Sequence, residues 1–129
     1  MTMTIDLLGP SNIVREEFPT RLVMFRRVPN HKLDQHFERL ENVTNYNGTI
    51  QAQNVGEWYV VTHWATTILE YNTQTRTIER LAHGYISQTT STLVGRLLRS
   101  LPREAVSFCL AQLSTTAPDD AKRLAKMVR

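Results

Sequence analysis

The spacing of apolar residues divides the chain into a mixed N-terminal part, a strand-like middle and a helical C-terminal part. Residues 1–12 show no regular spacing, so we expect a tail there, either disordered or lying at an edge of the fold. Residues 21–28 read RLVMFRRV, with partial alternation of apolar and polar side chains, and Pro29 follows them. This pattern favours a short strand that ends at the proline.

A helix is predicted over residues 30–42, because three apolar residues recur there at helical spacing. These residues are Leu33, Phe37 and Leu40. The other side chains of this segment are mostly polar or charged, so the helix should cover the core with one side and meet water with the other.

Short runs rich in Thr, Ile, Val, Tyr and Trp follow residue 42, and turn residues separate them. The separators are Asn47-Gly48, Val55-Gly56 and the segment 72–75. Runs of this composition favour strands, and Asn-Gly is typical of a hairpin turn. The middle of the chain is therefore predicted to form an antiparallel meander.

Helical spacing returns towards the C-terminus. The first helix there has leucines along one side, namely Leu93, Leu97, Leu98 and Leu101. Thr89, Thr90 or Ser91 is expected to supply the hydroxyl that caps its first turn. Pro102 suits the start of a second helix, and the segment 114–118 suits the cap of a third.

Gly95 lies inside the first of these C-terminal helices. Glycine in a helix costs on the order of 1 kcal/mol relative to alanine, so a structural reason for it is expected. We predict that the helix packs closely at this point against the sheet or against a partner.

These elements predict an α+β fold, in which an antiparallel β-meander of three to five strands packs against three or four helices. The helices come from residues 30–42 and 90–128. A length of 129 residues suits a single domain, residues 1–129, with a core that needs no disulfide or metal. The lone cysteine, Cys109, lies in an apolar helical pattern and is interpreted as a small core residue.

No apolar run approaches the roughly 20 residues of a membrane-spanning helix, and no secretion signal is visible. We therefore expect a cytoplasmic protein with no membrane partner. Positive charge is concentrated at the C-terminal end, since residues 87–129 carry seven Arg and Lys against three Asp and Glu, a balance of +4. An anionic partner should meet this part first.

Two basic stripes are the main candidates for partner binding. They are Arg96, Arg99 and Arg103, and then Lys122, Lys126 and Arg129 on the last helix. Spacings of three and four positions align each set on one helical side, provided that Pro102 does not bend the chain. Such stripes are more often the solvated side of an amphipathic helix, and binding to an acidic protein surface or to phosphates is the alternative.

Aromatic residues of the predicted sheet are further candidates for partner binding. Alternation puts Trp58 and Trp64 on one face and Tyr59 and His63 on the other, and Tyr85 lies in a later strand-like segment. Core packing is the common role of such residues. Rings on an uncovered face could instead bind a partner or stack on bases.

Residues typical of catalysis or metal binding form no recognisable motif. His31 and His36 are five positions apart, so they miss the i, i+4 spacing of a zinc-binding helix. His63 is interpreted as a partly buried, hydrogen-bonded residue, with general-base chemistry as the alternative. The hydroxyls lack a nucleophile motif, and the glycines are scattered rather than gathered in a phosphate loop. We therefore expect no catalytic residues, no metal ligands and no cofactor.

Four segments in one order carry a resemblance to a known family. They are VVTHWATTIL (60–69), TRTIERL (75–81), GYISQTT (84–90) and STLVGRLL (91–98). Over residues 45–98 the chain resembles a small domain family encoded by bacteriophages. It departs from the family pattern at Leu93-Val94-Gly95, where a basic or polar helix start is expected. The resemblance implies a phage accessory protein made inside an infected bacterium, and it supplies no catalytic residues.

Three functional hypotheses from different classes follow. The leading one is a non-enzymatic phage accessory protein that binds and modulates a host macromolecule, such as a defence complex or the transcription machinery. The alternative is a nucleic-acid-binding module that uses the basic C-terminal helices. The third is an enzyme or sequestering protein for a small nucleotide-like ligand, acting through His63 and nearby hydroxyls. A homodimer is also plausible, because a small sheet can leave a free edge.

Overall fold

The computed structural model describes residues 25–84 and 86–128, which form an α+β fold with one six-stranded sheet. The strands are β1 (Arg26–Val28), β2 (Val43–Asn45), β3 (Ile50–Val55), β4 (Trp58–His63), β5 (Thr66–Asn72) and β6 (Thr77–Leu81). The helices are α1 (Leu33–Glu38), which follows a 3₁₀ turn over Asn30–Lys32, α2 (Gln88–Ser100), α3 (Arg103–Thr116) and α4 (Pro118–Met127). The predicted fold class is confirmed.

The sheet follows the order of the chain, from β1 to β6. Strands β2 to β6 pair antiparallel with their neighbours, which gives the predicted meander with five strands. β1 adds a sixth strand parallel to β2. It forms the end of the strand expected over residues 21–28, while residues 21–24 and the expected tail at 1–12 lie outside the described part of the chain.

One face of the sheet carries the core. Tyr59, Val61 and His63 are buried along β4, and the residues between them are only half-buried. The same core cluster includes the leucines of α2, so the helices cover this face. The other face has polar and half-buried side chains, among them Trp58 and Val60. None of the described helices is long and apolar enough to cross a membrane.

The first helix is shorter than predicted. α1 ends at Glu38, and the chain leaves it through Leu40, which has a φ of 56°. The Leu40 N–H donates to the carbonyl of Phe37, and the Glu41 N–H donates to that of His36. These two bonds form a Schellman motif, in which glycine usually takes the left-handed position. Leu40 takes it here and still packs on the core. Because Leu40 continues the apolar spacing of the helix, the predicted helix was longer than the observed one.

Helix α2 begins earlier than predicted. Its cap is Ser87, whose Oγ accepts the Thr90 N–H at 3.1 Å, so the expectation that Thr89, Thr90 or Ser91 caps the helix is wrong. Pro102 occupies the N-cap position of α3, close to its predicted place.

Helix α4 follows α3 almost without a loop. Residues 114–116 still belong to α3, and the cap of α4 is Ala117, which offers no side-chain hydrogen bond. The cap of α4 therefore lies within the predicted segment 114–118, but none of the hydroxyls of that segment provides it. Pro118 supplies the first helical residue instead, where its missing N–H is not needed.

Gly95 lies where α2 packs against α4. A Cβ built on Gly95 would lie 2.8 Å from Cε and 3.3 Å from Cβ of Met127. The close packing predicted at this glycine is present, but its neighbour is a helix rather than the sheet or a partner.

Candidate functional site

The predicted arginine stripe is not a single surface. Arg96 is half-buried, and its Nε donates to Oδ1 of Asp34 at 2.8 Å while its Nη2 donates to the carbonyl of Asn30. Arg99 donates to the carbonyl of Met127 at the end of α4. A cation at a helix C-terminus is favourable, because the last carbonyls lack partners there. Both arginines therefore hold helices together.

The remaining predicted cations are separated from Arg96 and Arg99. α2 ends at Ser100 and the chain becomes extended at Leu101, so Arg103 starts a different helix. The predicted stripe required that Pro102 not bend the chain, and this condition is not met. Lys122 and Lys126 are exposed on α4. Arg129, like the candidate Tyr85, lies outside the described residues.

His36, His63 and His83 each form a hydrogen bond with another side chain. His36 Nδ1 lies 2.7 Å from Oε1 of Glu41, and this bond lowers the pKa of the Glu41 carboxyl, with a smaller contribution from Arg39 and against the effect of burial. Tyr59 donates its hydroxyl to the Glu41 carbonyl at 2.9 Å, and burial raises the pKa of the tyrosine. Within residues 25–84 and 86–128, no three His, Cys, Asp or Glu side chains come together as metal ligands would.

His83 joins the β6–α2 connection to α4. Its Nδ1 lies 3.0 Å from Oδ2 of Asp120, whose Oδ1 also accepts from Arg123 at 3.2 Å. The bond from His83 is the main reason that the pKa of the Asp120 carboxyl is lowered, and Arg123 adds to it against the effect of burial. Arg123 also reaches the carbonyl of Gly84.

His63 is buried, with 6% of its surface exposed, and its Nδ1 lies 2.7 Å from Oγ1 of Thr90. Thr90 Oγ1 in turn accepts from the Ser87 hydroxyl at 2.9 Å. The hydroxyls at the start of α2 therefore cap this helix and fasten it to β4. The hydrogen bond predicted for His63 is confirmed, and the ring is more deeply buried than the partly buried position that was expected.

A groove of about 610 Å³ lies between β6 and α3, and it does not include His63. Cys109 lines this groove and is half-buried against the core, in keeping with its interpretation as a packing residue. Burial raises the pKa of its thiol, which disfavours the reactive thiolate.

Two exposed aromatic side chains lie at one end of the sheet. Tyr46 follows β2 and is 64% exposed, and Trp64 follows β4 and is 72% exposed. β2 and β4 run in the same direction because each pairs antiparallel with β3. The Trp64 N–H donates to the carbonyl of Thr49 in the neighbouring turn at 2.8 Å. We call Tyr46, Trp64 and their two turns the aromatic end.

The turn that carries Trp64 has a strained backbone. His63 pairs with Thr66, so Trp64 and Ala65 form a two-residue hairpin loop, and their φ values are 53° and 66°. Positive φ at both positions is the type I′ turn, for which Asn-Gly is preferred. A residue with a side chain costs roughly 1–2 kcal/mol in this conformation. The loop thus holds the indole in solvent at a cost in stability.

The turn that carries Tyr46 is held by buried and polar groups. Asn45 is buried, its Nδ2 donates to Oγ1 of Thr49 at 2.8 Å, and its Oδ1 accepts from the Ile50 N–H at 3.1 Å. Arg27 donates to the Tyr46 carbonyl at 2.7 Å. Both aromatic rings are therefore presented by ordered turns.

The predicted aromatic candidates do not form one site. Trp58 starts β4, at the opposite end of the strand from Trp64, and it is only half-buried on the open face. Trp64 lies beyond the strand, not on the face where alternation placed it. Tyr46 was not predicted, although its position before Asn47-Gly48 was a signal for an exposed hairpin end.

Comparisons of the chain with family models, curated proteins and solved structures give no match. What the protein binds must therefore be inferred from its own residues.

Proposed function

We propose that the protein is a non-enzymatic phage accessory protein that binds a host protein through the aromatic end and thereby modulates it. The phage origin in this proposal is supported by the resemblance over residues 45–98. The binding surface is supported by one observation above the others, the exposure of Trp64 on a strained turn.

The strain is informative because a less costly alternative exists. An Asn-Gly loop would close the same hairpin without the left-handed penalty of Trp64 and Ala65. Strained residues tend to cluster at functional sites, where the conformation serves binding or catalysis. Tryptophan and tyrosine are also enriched among the residues that dominate binding energy at interfaces. A binding role explains why this sequence keeps an exposed indole here.

The surroundings of Trp64 indicate the chemistry of the partner. The turns at residues 46–49 and 64–66 contain amides and hydroxyls, and the guanidinium of Arg27 lies beside them, bonded to the Tyr46 carbonyl. Burying an indole gains roughly 25 cal/mol per Å² of apolar surface. We expect the host protein to offer an apolar pocket for Trp64 with hydrogen-bonding groups at its rim.

The nucleic-acid alternative has less support. Arg96 and Arg99 make hydrogen bonds inside the fold, so they are not free for phosphates without breaking contacts between helices. Lys122 and Lys126 are exposed but lie on a separate helix from Arg103. An enzyme acting through His63 also has less support, because the ring is buried and bonded to Thr90.

The proposal can be tested by affinity capture from nuclease-treated bacterial lysate. The full-length protein and its Trp64→Ala and Phe108→Ala variants serve as baits, since Phe108 is another exposed aromatic residue, 54% exposed, on α3. We expect the wild type and Phe108→Ala to retain one stoichiometric host protein and Trp64→Ala to lose it. Capture of no such protein, or equal capture by Trp64→Ala, would contradict the proposal. In a parallel capture from lysate without nuclease, retention of nucleic acid that declines steeply with salt would favour the alternative.

A further inference from the structure

Within the described residues, strand β6 is the last strand of the sheet and pairs only with β5, so its other edge has no partner strand there. Residues of this strand also line the groove between β6 and α3. Its apolar lining comes from Ile78 and Leu81 on the strand and from Cys109 and Leu113 on the helix.

A β-bulge fixes the directions of the β6 side chains. The pairing with β5 passes over Glu79, which is the extra residue of the bulge. Ile78 and Leu81 consequently both belong to the core side of the strand, where they contact the core cluster. Glu79 and Arg80 are both exposed, and the Arg80 side chain is 63% exposed with its Nε 3.7 Å from Glu70. The residues from Ile78 to Leu81 are therefore apolar, acidic, basic and apolar, in that order.

The main-chain groups of the two apolar residues face the edge of β6 away from β5. The Ala82 N–H donates to the carbonyl of Ile68 on β5 at 2.9 Å. Because main-chain groups alternate in direction along a strand, the N–H and C=O of Leu81 point away from β5. Ile78 lies opposite Tyr71, two positions along β5 from the partner of Leu81, so its main-chain groups point the same way.

We propose that β6 pairs antiparallel with β6 of a second copy of this chain, across a two-fold axis that passes between Glu79 and Arg80. Glu79 then lies opposite Arg80 of the second copy, and Ile78 lies opposite Leu81 of the second copy. Symmetry produces each of these pairs twice. The apolar pairs lie on the groove side, and the charge pairs lie on the open face of the sheet.

The order of charges favours a second copy over an unrelated strand. In the proposed register every charged residue of β6 meets an opposite charge, so the edge is complementary to itself. A two-fold axis moved to Glu79 or to Arg80 would place like charges opposite each other, which is destabilising. Charged side chains and a bulge usually protect an edge strand from pairing. In the proposed dimer, Glu79 and Arg80 instead favour the one register in which opposite charges meet.

The test is a charge exchange in the full-length chain, followed by sedimentation velocity over a range of concentrations. The variants are Glu79→Arg, Arg80→Glu and the double exchange, with Glu38→Arg, an exposed residue of α1, as the matched control. Each single variant places like charges in both symmetric pairs, so its dimer should weaken about tenfold or more. An equal mixture of the two single variants should form a heterodimer, because every pair is then complementary. The double exchange should dimerise as the wild type does.

Thermal unfolding of each variant checks that the fold is retained. A wild type that stays monomeric at all concentrations would overturn the inference, as would single variants that dimerise like the wild type. A mixture of the single variants that stays monomeric would also overturn it. The proposal is independent of the aromatic end, so Trp64→Ala should not change the sedimentation.

Discussion

Trp64 combines high exposure with a backbone conformation that its side chain disfavours. Its neighbour Ala65 shares the left-handed conformation and is also exposed, but its side chain is a single methyl group. The two positions therefore separate backbone strain from side-chain recognition. Substitutions at each of them give different predictions for stability and for binding.

Ala65→Gly should stabilise the protein by about 1 kcal/mol, because glycine adopts positive φ without the penalty that alanine carries. The free energy of unfolding from a urea titration measures this effect, and capture of the host protein should be unchanged. Destabilisation by this variant would show that the loop is not strained.

Trp64→Asn should also stabilise the protein, by about 1 kcal/mol, because asparagine tolerates the left-handed region. In contrast to Ala65→Gly, it should abolish capture of the host protein. Stability and binding would then change in opposite directions at one residue. Loss of stability in Trp64→Asn would instead indicate that the indole supports the fold.

Sequence reasoning succeeded at residues whose role follows from periodicity and failed at those in turns. His63 alternates with half-buried neighbours, so its burial could be predicted from a period of two. Trp64 continues the same alternation in sequence, and neither it nor Ala65 is a turn residue by type. The hairpin loop is set by pairing between His63 and Thr66, which only the folded sheet reveals.

Among the elements, α2 and α4 approach each other closely at Gly95. Gly95 allows Met127 of α4 to pack against the backbone of α2. Arg99, which is also on α2, donates to the carbonyl of Met127. Glycine at this position therefore lowers the helix propensity of α2 but permits its close packing against α4.

Gly95→Ala should lower the free energy of unfolding by about 1 kcal/mol, because overpacking against Met127 outweighs the gain in helix propensity. In a Met127→Ala background the same change should be less destabilising, since the 2.8 Å contact with Cε is gone and only the 3.3 Å contact with Cβ remains. Urea titrations of the four proteins in this cycle measure the coupling. Stabilisation by Gly95→Ala in both backgrounds would refute the proposed contact.

The contact of α4 with the β6–α2 connection should depend on pH through Asp120. Its pKa is lowered in the folded state, so its contribution to stability is present above the ordinary pKa near 3.8 and is lost as the pH falls through the lowered value. Asp120→Asn should therefore destabilise the protein at about pH 5, and the difference from wild type should shrink in stronger acid. Thermal unfolding across this range measures it.

Asp119→Asn is the matched control, because it removes the same charge from the same helical turn. Its difference from wild type should be smaller than that of Asp120→Asn. Equal effects of the two variants would assign the result to the helix dipole rather than to His83 and Arg123.

Element boundaries were less predictable than element types. The strands and helices follow from their apolar periods, but α1 ends at Glu38, and Leu40 then takes the left-handed position where glycine is usual. The basic stripe failed for a similar reason. Spacing puts Arg96 on the polar side of α2, but it cannot show that Asp34 of α1 packs there and binds it.

For the whole molecule, two surfaces carry the proposed interactions and lie on different parts of the sheet. The aromatic end is formed by the loops after β2 and β4, and the self-pairing edge is formed by β6. The fold class could be predicted because it depends on the sum of many apolar positions. The candidate surface could be predicted only in part: Trp64 was a candidate, but Tyr46 was not, because their proximity depends on two turns that tertiary pairing brings together.

Photo-crosslinking in bacteria tests the central claim, that Trp64 contacts a host protein, most directly. A photoreactive phenylalanine derivative, whose aromatic ring can still enter an apolar pocket, is placed at position 64, and in a control at the exposed position 38 on α1. We predict that irradiation yields one discrete, protease-sensitive adduct from position 64 and none from position 38. Adducts that are absent at position 64, or equal at both positions, would contradict the account.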